Sequence, residues 1–330
     1  MKENAIKKIF IKLSRKLGFE IIDQNNFVSP TLDRELNLNL SGIEKSIILP
    51  LGEVKLTRKI SDLLIIFRTN MNIHIWDQNK KRIFEKHKVE YAKRSLNSLL
   101  KSIKNLKEIF SSINVELIIL DNGSKNEYLN QINQILSTTN INSKIVNHDS
   151  LKHKSIIKTQ KNSETFSNLS SLLKCFEIGK EEGKDMVYFA EDDYIHFKSS
   201  LEEMIGTYER ISSQIKKELF ICPSDYPYLY MNNEKTNLLI GSKRHWRTIN
   251  KSLCTFMTSK FFIDKYWENF YKNCLDRHDP FEKYINQLYE KEICISPIKS
   301  LSIHMTNINS SYGLSPFIDY KSIWDENKND

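Results

Sequence analysis

Apolar residues along this chain form short compact runs separated by stretches with helical spacing. Residues 63–67, 115–120 and 186–190 are apolar runs of the length and composition that predict buried strands. Between them, apolar positions recur every three or four residues over 96–110 and again over 167–182, which predicts amphipathic helices. The middle of the chain is therefore predicted to alternate between strands and helices.

The order of these elements indicates a fold class. Residues 127–137 are predicted to be a helix and residues 144–146 a short strand, so the order becomes strand–helix–strand–helix–strand–helix–strand. This order is typical of an α/β fold with a mainly parallel sheet flanked by helices. Ligands of such sheets bind beyond the carboxyl ends of the strands.

The same pattern divides the chain into three regions: an N-terminal extension over 1–57, the α/β core over 58–240, and a C-terminal region over 241–330. The extension is predicted to begin with a basic amphipathic helix, residues 2–17. Its apolar positions have helical spacing, and lysines and arginines occupy most of the rest. Such a helix either packs on the main domain with its basic face in water or lies on an anionic membrane surface.

Composition restricts the class of protein further. The 330 residues carry a formal charge of +8, which permits an anionic partner without choosing one. Five dispersed cysteines with no C-x-x-C pair argue against a disulfide framework or zinc knuckle and favour a reducing compartment. No apolar run approaches the ~18 residues of a membrane span. We expect a cytoplasmic protein, and the basic helix leaves peripheral contact with the inner membrane open.

Three consecutive carboxylates follow the strand predicted at 186–190. Glu191, Asp192 and Asp193 have no basic residue between them, so their charges repel unless something compensates them. A divalent cation is the simplest compensation, because Mg²⁺ and Mn²⁺ prefer carboxylate oxygens and share their remaining positions with phosphates. A solvated acidic turn, with Asp193 capping the next helix, explains the same residues.

A second polar motif, Asp121-Asn-Gly-Ser124, follows the strand predicted at 115–120. Asn-Gly is common turn chemistry, and an ordinary turn is sufficient to explain this motif alone. However, the motif and the acidic triplet both follow buried strands, and the stretch between them fits two helices and one strand. Both are therefore predicted at carboxyl ends of the sheet.

These two motifs, in this order, resemble the GT-A glycosyltransferases, especially the family 2 type, over roughly residues 60–260. In that family an Asp-Asn-Gly-Ser or Asp-Asp-Gly-Ser motif contacts the nucleobase, and a D-x-D motif holds a metal and the sugar-nucleotide diphosphate. The triplet here is Glu-Asp-Asp, a variant similar to that of some N-acetylglucosaminyltransferases. The resemblance implies a nucleotide-sugar-binding core over 58–240 and acceptor binding over 241–330.

The resemblance also implies roles for single residues. Asp121 would contact the base, and Asp193 would bind Mn²⁺ or Mg²⁺ directly. His304 would complete the metal shell, as a C-terminal histidine does in several GT-A enzymes, and neutral imidazole is a good ligand for Mn²⁺. A lone histidine is otherwise structural or merely exposed.

Further donor contacts are implied around these residues. Glu191 and Asp192 would hold ribose, diphosphate or donor sugar. Arg68 and Thr69, just past the first strand, would lie near the nucleotide. Asn168 occupies the place of a polar residue that family members use near the donor, or is a surface residue.

Asp279 is the expected catalytic residue. Followed by Pro280, it is typical of a helix N-cap and first position. Inverting GT-A enzymes often place an acid at the start of a late helix, where it takes the proton of the acceptor hydroxyl. Glu282 and Asp225 are reserve candidates. The basic run 243–247, with Trp246 for sugar stacking, is expected to contact the acceptor or the leaving group, or else forms a solvated loop.

The expected function is metal-dependent transfer of a hexose, with inversion, to a glycan or lipid-linked acceptor in cell-surface polysaccharide synthesis. UDP is favoured as the donor nucleotide through the resemblance alone.

A sugar nucleotidyltransferase is the alternative, although residues 68–72 lack the glycines of its usual loop. A nucleic-acid-binding protein, a further alternative, would use the basic stretch 80–107 and would need aromatic residues interleaved with its charges. Phe84 and Tyr91 are thin support for this interpretation, so no nucleic acid is expected as a partner. The intact motifs argue against an inactive GT-A scaffold.

Overall fold

A computed structural model describes residues 5–19, 21, 45–48, 52–72, 83–159, 164–231, 234–305 and 310–328. The strands are β1 (Lys45–Ile48), β2 (Gly52–Lys55), β3 (Asp62–Thr69), β4 (Asn114–Asp121), β5 (Asn142–Asn147), β6 (Met186–Glu191), β7 (Tyr194–His196), β8 (Phe220–Ile221), β9 (Leu238–Ile240), β10 (His245–Thr248), β11 (Phe256–Ser259), β12 (Cys294–Pro297) and β13 (Ser302–His304). The helices are α1 (Ala5–Lys16), α2 (Lys88–Ile109), α3 (Asn126–Ser137), α4 (Glu164–Glu182), α5 (Ser200–Ile215), α6 (Tyr228–Met231), α7 (Lys260–Lys265), α8 (Trp267–Asn273), α9 (Lys283–Tyr289) and α10 (Tyr320–Glu326). A 3₁₀ turn, Ser150–His153, follows β5.

Nine of the described strands form one sheet in the order β5-β4-β3-β6-β11-β8-β12-β10-β9. The first four are parallel and make the longest pairings, and β8 and β12 are also parallel. The remaining neighbours run antiparallel. The predicted fold class, α/β with a mainly parallel sheet flanked by helices, is confirmed.

Side chains of β3 alternate between two hydrophobic cores, one on each face of the sheet. Leu63, Ile65 and Phe67 pack with residues of α2, α3 and α5. Leu64 and Ile66 pack with residues of α4, α7, α8 and α9 on the other face. Burial on both faces requires apolar residues at successive positions, which explains the continuous apolar runs in the sequence.

A small second sheet joins the C-terminal region to the core. Strand β7 begins directly after the acidic triplet and pairs antiparallel with β13, so that Tyr194 lies opposite His304. Helix α2 holds β7 through two serines. The Ser95 hydroxyl donates to the Tyr194 carbonyl at 2.5 Å, and the His196 N–H donates to the Ser98 hydroxyl at 2.9 Å. This pairing brings residues of widely separated sequence to the end of β6.

The N-terminal helix predicted at 2–17 is α1. Its apolar side chains Ile6, Ile9, Phe10 and Leu13 are 58–75% exposed. None of the described helices has both the length and the apolar character needed to cross a bilayer. Most of the remaining predicted extension, residues 20, 22–44 and 49–51, lies outside the described residues, as do 80–82 of the basic stretch.

The predicted division at residues 240 and 241 falls within the large sheet. Strands β9 and β10 lie on either side of it and pair with each other, with His245 opposite Ile240. The helix predicted at 261–275 is divided into α7 and α8. The three-region organisation of the chain stays a prediction.

Helix α4 approaches β6 closely at Gly179. A Cβ atom added there would lie 2.8 Å from Cζ of Phe189. The Phe189 ring is buried and packs edge-on against Phe176, with ring centroids 5.1 Å apart. The missing side chain thus sets the distance between α4 and the strand that carries the acidic triplet.

We expect Gly179→Ala to lower the free energy of unfolding by about 1–3 kcal/mol, because the Phe189 ring and α4 must move apart. This cost outweighs the ~1 kcal/mol by which alanine favours a helix over glycine. Urea denaturation measures the change. Glu181→Ala, at an exposed position of the same helix, is the control and should stay within about 0.5 kcal/mol of wild type. An unchanged or higher stability of Gly179→Ala would contradict the close-packing argument.

Candidate active site

Asp121 is the last residue of β4, and its side chain stabilises the turn that follows. Its Oδ2 accepts a hydrogen bond from the Ser124 N–H at 2.9 Å, and Gly123 takes the positive φ of 81° that the turn requires. Among the hydrogen bonds of the described residues, Asp121 Oδ1 is buried without a partner. Burial raises the pKa of Asp121 against the hydrogen bonds from Ser124. An unpaired carboxylate oxygen at a strand end is suited to accept an N–H from a ligand.

The segment after β3 braces this turn. The Met71 N–H donates to the Ser124 hydroxyl at 2.9 Å, and the Asn72 side-chain amide donates to the Gly123 carbonyl at 2.6 Å. On its other side, Asn122 donates to the Ser167 hydroxyl at 2.8 Å. The Asp121–Ser124 motif is therefore held in place by the adjacent strand end and by the start of α4.

Glu191, the first member of the triplet, is paired with Arg68. The guanidinium contacts the Glu191 carboxylate and the Asn168 side-chain oxygen, and it donates to the Ser171 hydroxyl at 3.1 Å. Burial alone would lower the pKa of Arg68, but the charge of Glu191 raises it. Arg68, Asn168 and Glu191 thus bind one another and join β3, α4 and β6.

Asp192 links the same strand end to β3 and to α2. Its Oδ2 accepts from the Thr69 hydroxyl at 2.8 Å and from the Asn70 N–H at 3.3 Å. Its Oδ1 contacts the ammonium group of Lys88. With a side chain only 9% exposed, Asp192 is largely enclosed by these partners.

Asp193 is the most exposed member of the triplet, with 30% of its side chain accessible, and it faces His304. His304 Nε2 lies 3.5 Å from Asp193 Oδ2. The other ring nitrogen, Nδ1, donates to the Tyr312 carbonyl at 2.7 Å, and the ring stacks on Tyr194 at 4.6 Å. Burial alone would lower the pKa of His304, but the Asp193 carboxylate raises it above its ordinary value.

The donor set at Asp193 fits a divalent cation if a substrate completes the shell. Metal-binding histidines commonly donate their second N–H to a carbonyl, as His304 does to Tyr312. Within the described residues, no group of three or more His, Cys, Asp or Glu side chains is arranged to bind a metal. Among the described residues, Asp193 and His304 are the two candidate ligands, and phosphate and water would have to complete the shell of an ion such as Mg²⁺.

Glu282 is buried and interacts electrostatically with Glu191 and His304. Its carboxylic acid is 9% exposed and accepts a weak hydrogen bond from Cys254 Sγ at 3.9 Å. Burial, with the neighbouring charge of Glu191, raises the pKa of Glu282 to about 8. Asp279 is exposed, and α9 begins after Glu282 rather than after Asp279. The role predicted for Asp279 stays a prediction.

The basic run 243–247 is occupied by internal partners. Lys243 and Arg244 pair with Glu202 and Glu203, two buried acids of α5, at 2.8 and 2.5 Å. Arg247 pairs with Asp225, a reserve candidate for the base.

Trp246 in the same run is fully buried, and this corrects the expectation that it stacks on a sugar. The indole lies so close to Gly241 that a Cβ there would be 2.3 Å from its Nε1.

Residues predicted for one site come together in the structure, and their predicted roles stay predictions. Asp121, Thr69, the triplet and His304 lie around the carboxyl ends of β4, β3 and β6. Arg68 and Asn168 bind Glu191 and each other, which holds this edge together. Lys88 was not predicted as a site residue. The one indication in the sequence is its position: Lys88 is the first residue of a long helix, where the helix dipole favours acidic residues.

Two buried histidines, His148 and His153, follow β5. The backbone N–H of His148 donates to the Asp121 carbonyl at 2.7 Å, and the ring atoms His148 Nε2 and His153 Nδ1 each lie 2.9 Å from the Ser170 hydroxyl. That hydroxyl donates to the Ser150 carbonyl, so both imidazoles act as its donors. Burial and the nearby His153 lower the pKa of His148 to about 4.

Comparison with known proteins gives weak likenesses only. No protein-family model matches this sequence, and no curated protein matches it. Among solved structures, residues 1–349 of S. aureus TarS align with 62% of this chain and 48% of their own length, at 13% identity and a TM-score of 0.34. The WbbM bifunctional glycosyltransferase covers 84% of this chain and 53% of its own, at 9% identity and 0.40.

A third match is UDP-glucose pyrophosphorylase bound to UDP-glucose, covering 72% of this chain and 90% of its own, at 8% identity and a TM-score of 0.33. The chain thus spans about half the length of the first two proteins. All three TM-scores are below 0.5, so no function is argued from these likenesses.

We expect the stability of the protein to fall more steeply below pH 6.5 than that of a His148→Gln variant. The unfolded chain binds a proton at His148 near its ordinary pKa of 6.5, whereas the folded chain does so only near pH 4. Acid therefore favours the unfolded state by up to about 3 kcal/mol through this group. Urea denaturation at pH 7, 5.5 and 4.5 measures the difference between the two proteins. His245→Gln, at an exposed histidine of β10, controls for loss of one imidazole. Parallel pH profiles for wild type and His148→Gln would contradict the expectation.

Proposed function

We propose that this protein transfers a sugar from a nucleotide-diphosphate donor, a UDP-sugar, to a hydroxyl of a glycan or lipid-linked acceptor in cell-surface polysaccharide synthesis. The observation that carries the proposal is the gathering of Asp121, the acidic triplet and His304 beyond the carboxyl ends of β4, β3 and β6. This edge is where open α/β sheets bind their ligands. The buried Oδ1 of Asp121, unpaired among the described residues, is a second and independent indication of a ligand there.

The donor nucleotide would lie across these strand ends. Asp121 Oδ1 would accept an N–H of the base, which supplies the hydrogen bond that this buried oxygen lacks. Thr69 and Asp192, joined by their 2.8 Å hydrogen bond, would form the floor beneath the ribose and diphosphate. Their mutual contacts hold them in place before the donor arrives, which lowers the entropic cost of binding.

Mn²⁺ or Mg²⁺ would be held by the Asp193 carboxylate and by His304 Nε2. A divalent ion bound to a leaving diphosphate stabilises the negative charge that develops there. The orientation of the His304 ring, fixed by Tyr194 and by the Tyr312 carbonyl, supports this assignment.

Glu282 is the base that burial and its charged neighbours support best. Its carboxyl group lies in the electrostatic neighbourhood of Glu191 and His304, and its raised pKa suits a group that exchanges protons near neutral pH. In the transfer step, the Glu282 carboxylate would take the proton of the acceptor hydroxyl. The acceptor oxygen bonds to the anomeric carbon as the bond from that carbon to the diphosphate breaks. One direct displacement of this kind inverts the anomeric centre.

Helix α1 has the properties of a helix that contacts a membrane, where a lipid-linked acceptor would lie. Its side chains Ile6, Ile9, Phe10 and Leu13 are exposed, its last turn carries Arg15 and Lys16, and its first turn holds no acid. These properties support the prediction of peripheral contact with an anionic membrane.

We expect Mn²⁺ and UDP together to raise the melting temperature of the wild-type protein. A ligand that binds only the folded state at a hundred times its Kd adds about 2.7 kcal/mol to stability. Asp193→Ala should keep the fold and the UDP effect but lose the part that depends on Mn²⁺. Glu268→Ala, which removes an exposed acid from α8, is the control. No shift with UDP, GDP, CMP or UDP-sugars, with or without Mn²⁺, would overturn the proposed donor class.

We expect Glu282→Gln to lower kcat for sugar transfer by about a hundredfold or more, because a general base contributes 10²–10⁴-fold in typical enzymes. Asp279→Asn should stay close to wild type. Steady-state kinetics with the donor identified by the melting experiment measures both. The reverse result, with activity lost in Asp279→Asn and kept in Glu282→Gln, would establish Asp279 as the base.

A further inference from the structure

Lys88 occupies a position that the proposed chemistry leaves unexplained. Its ammonium group contacts Asp192 Oδ1 and lies 3.8 Å from Asp193 Oδ2. The Lys88 side chain is only 13% exposed, so the ammonium is enclosed within the site. A cation is thus already present beside the carboxylate proposed to bind a metal.

The position of Lys88 is set by the rigid attachment of α2. Near the start of this helix, the guanidinium of Arg94 lies 4.2 Å above the Trp324 ring and pairs with Glu90 at 2.7 Å. Ser95, the next residue, and Ser98, one turn after Arg94, hydrogen-bond the backbone of β7, directly after the triplet. Lys88 opens this helix, where the dipole disfavours a cation, so the neighbouring carboxylates must provide the compensation.

The triplet is consequently close to electrical balance without a metal. Arg68 neutralises Glu191, Lys88 neutralises Asp192, and Asp193 is shared between His304 at 3.5 Å and Lys88 at 3.8 Å. A divalent cation arriving alone at Asp193 would meet the ammonium across the same carboxylate, and the two positive charges repel. A diphosphate that binds together with the metal adds negative charge, which reduces the repulsion between the divalent ion and the Lys88 ammonium group.

We propose that Lys88 couples metal binding to nucleotide binding: it disfavours a divalent cation in the nucleotide-free site and pairs with the diphosphate when the donor binds. This inference rests on the proposed function, because it assigns the diphosphate as the group that changes the role of Lys88. The coupling is reciprocal, so UDP tightens Mn²⁺ binding by the same factor by which Mn²⁺ tightens UDP binding.

The test is a titration of the full chain with Mn²⁺, in which electron paramagnetic resonance measures the free ion with and without UDP. We expect Lys88→Met to bind Mn²⁺ roughly tenfold more tightly than wild type when UDP is absent, within the usual range of coupling energies. The gain from adding UDP should shrink to the same extent. Lys88→Arg retains the positive charge and should keep the weak Mn²⁺ binding of the nucleotide-free wild type. Lys86→Met, at an exposed lysine before the same helix, controls for the change in net charge.

The outcomes separate this inference from the proposed function. Equal or weaker Mn²⁺ binding by folded Lys88→Met, without UDP, overturns the role of Lys88 whatever the wild type does with nucleotides. Absence of UDP binding in wild type overturns the proposed donor, while the Mn²⁺ comparison still decides whether Lys88 opposes the metal. If wild type binds UDP but no Mn²⁺, a gain of Mn²⁺ binding in Lys88→Met supports the inference, and no gain overturns it. Circular dichroism of each variant confirms that it is folded.

Discussion

Three adjacent carboxylates at the end of one buried strand impose the constraint around which this site is built. Each negative charge at the end of β6 needs a partner, and each partner comes from a different element. Arg68 is the penultimate residue of β3, Lys88 opens α2, and His304 ends β13. Because a buried charge without a partner costs several kcal/mol, these elements cannot move apart independently of the triplet. Charge balance therefore fixes the relative positions of a core strand, a long helix and a C-terminal strand.

The residues around the triplet differ in how far they enclose one another. Arg68, Asn168 and Glu191 use their polar atoms on one another. Asp121 and Asp193 differ from them: one has a buried oxygen unpaired among the described residues, and the other is the most exposed member of the triplet. A ligand that carries both an N–H donor and a diphosphate would meet these two positions at once.

The fold could be predicted from the sequence because strands that are buried on both faces of the sheet need apolar residues at successive positions. Strands β3, β4 and β6 are built mostly from successive apolar residues, and the polar motifs at their ends mark the carboxyl ends. The partners of those motifs could not be predicted in the same way. Lys88 reaches Asp192 through the packing of α2, and Trp246 is buried because Gly241 leaves room for its ring. Neither contact has a periodic signal, since both join positions that only the folded chain brings together.

The basic run at 243–247 shows how charge patterns in a sequence mislead. Its lysine and arginine appear free for an anionic substrate, yet they pair with Glu202 and Glu203 in the first turn of α5. In the sequence those acids are ordinary helix-start residues. Their burial, which makes them need cations, follows from the position of α5 against the sheet.

The pairing of β7 with β13 has a consequence for how the protein is made. Residues leave the ribosome in chain order, so Arg68 and Lys88 have already emerged when β6 is synthesised. Glu191 and Asp192 can therefore be neutralised as soon as β6 joins β3. Asp193 lies near Lys88 as well, but its second partner, His304, emerges only after α5, β11 and α9 have been synthesised. The histidine-bearing side of the site is therefore the last part of it to be synthesised.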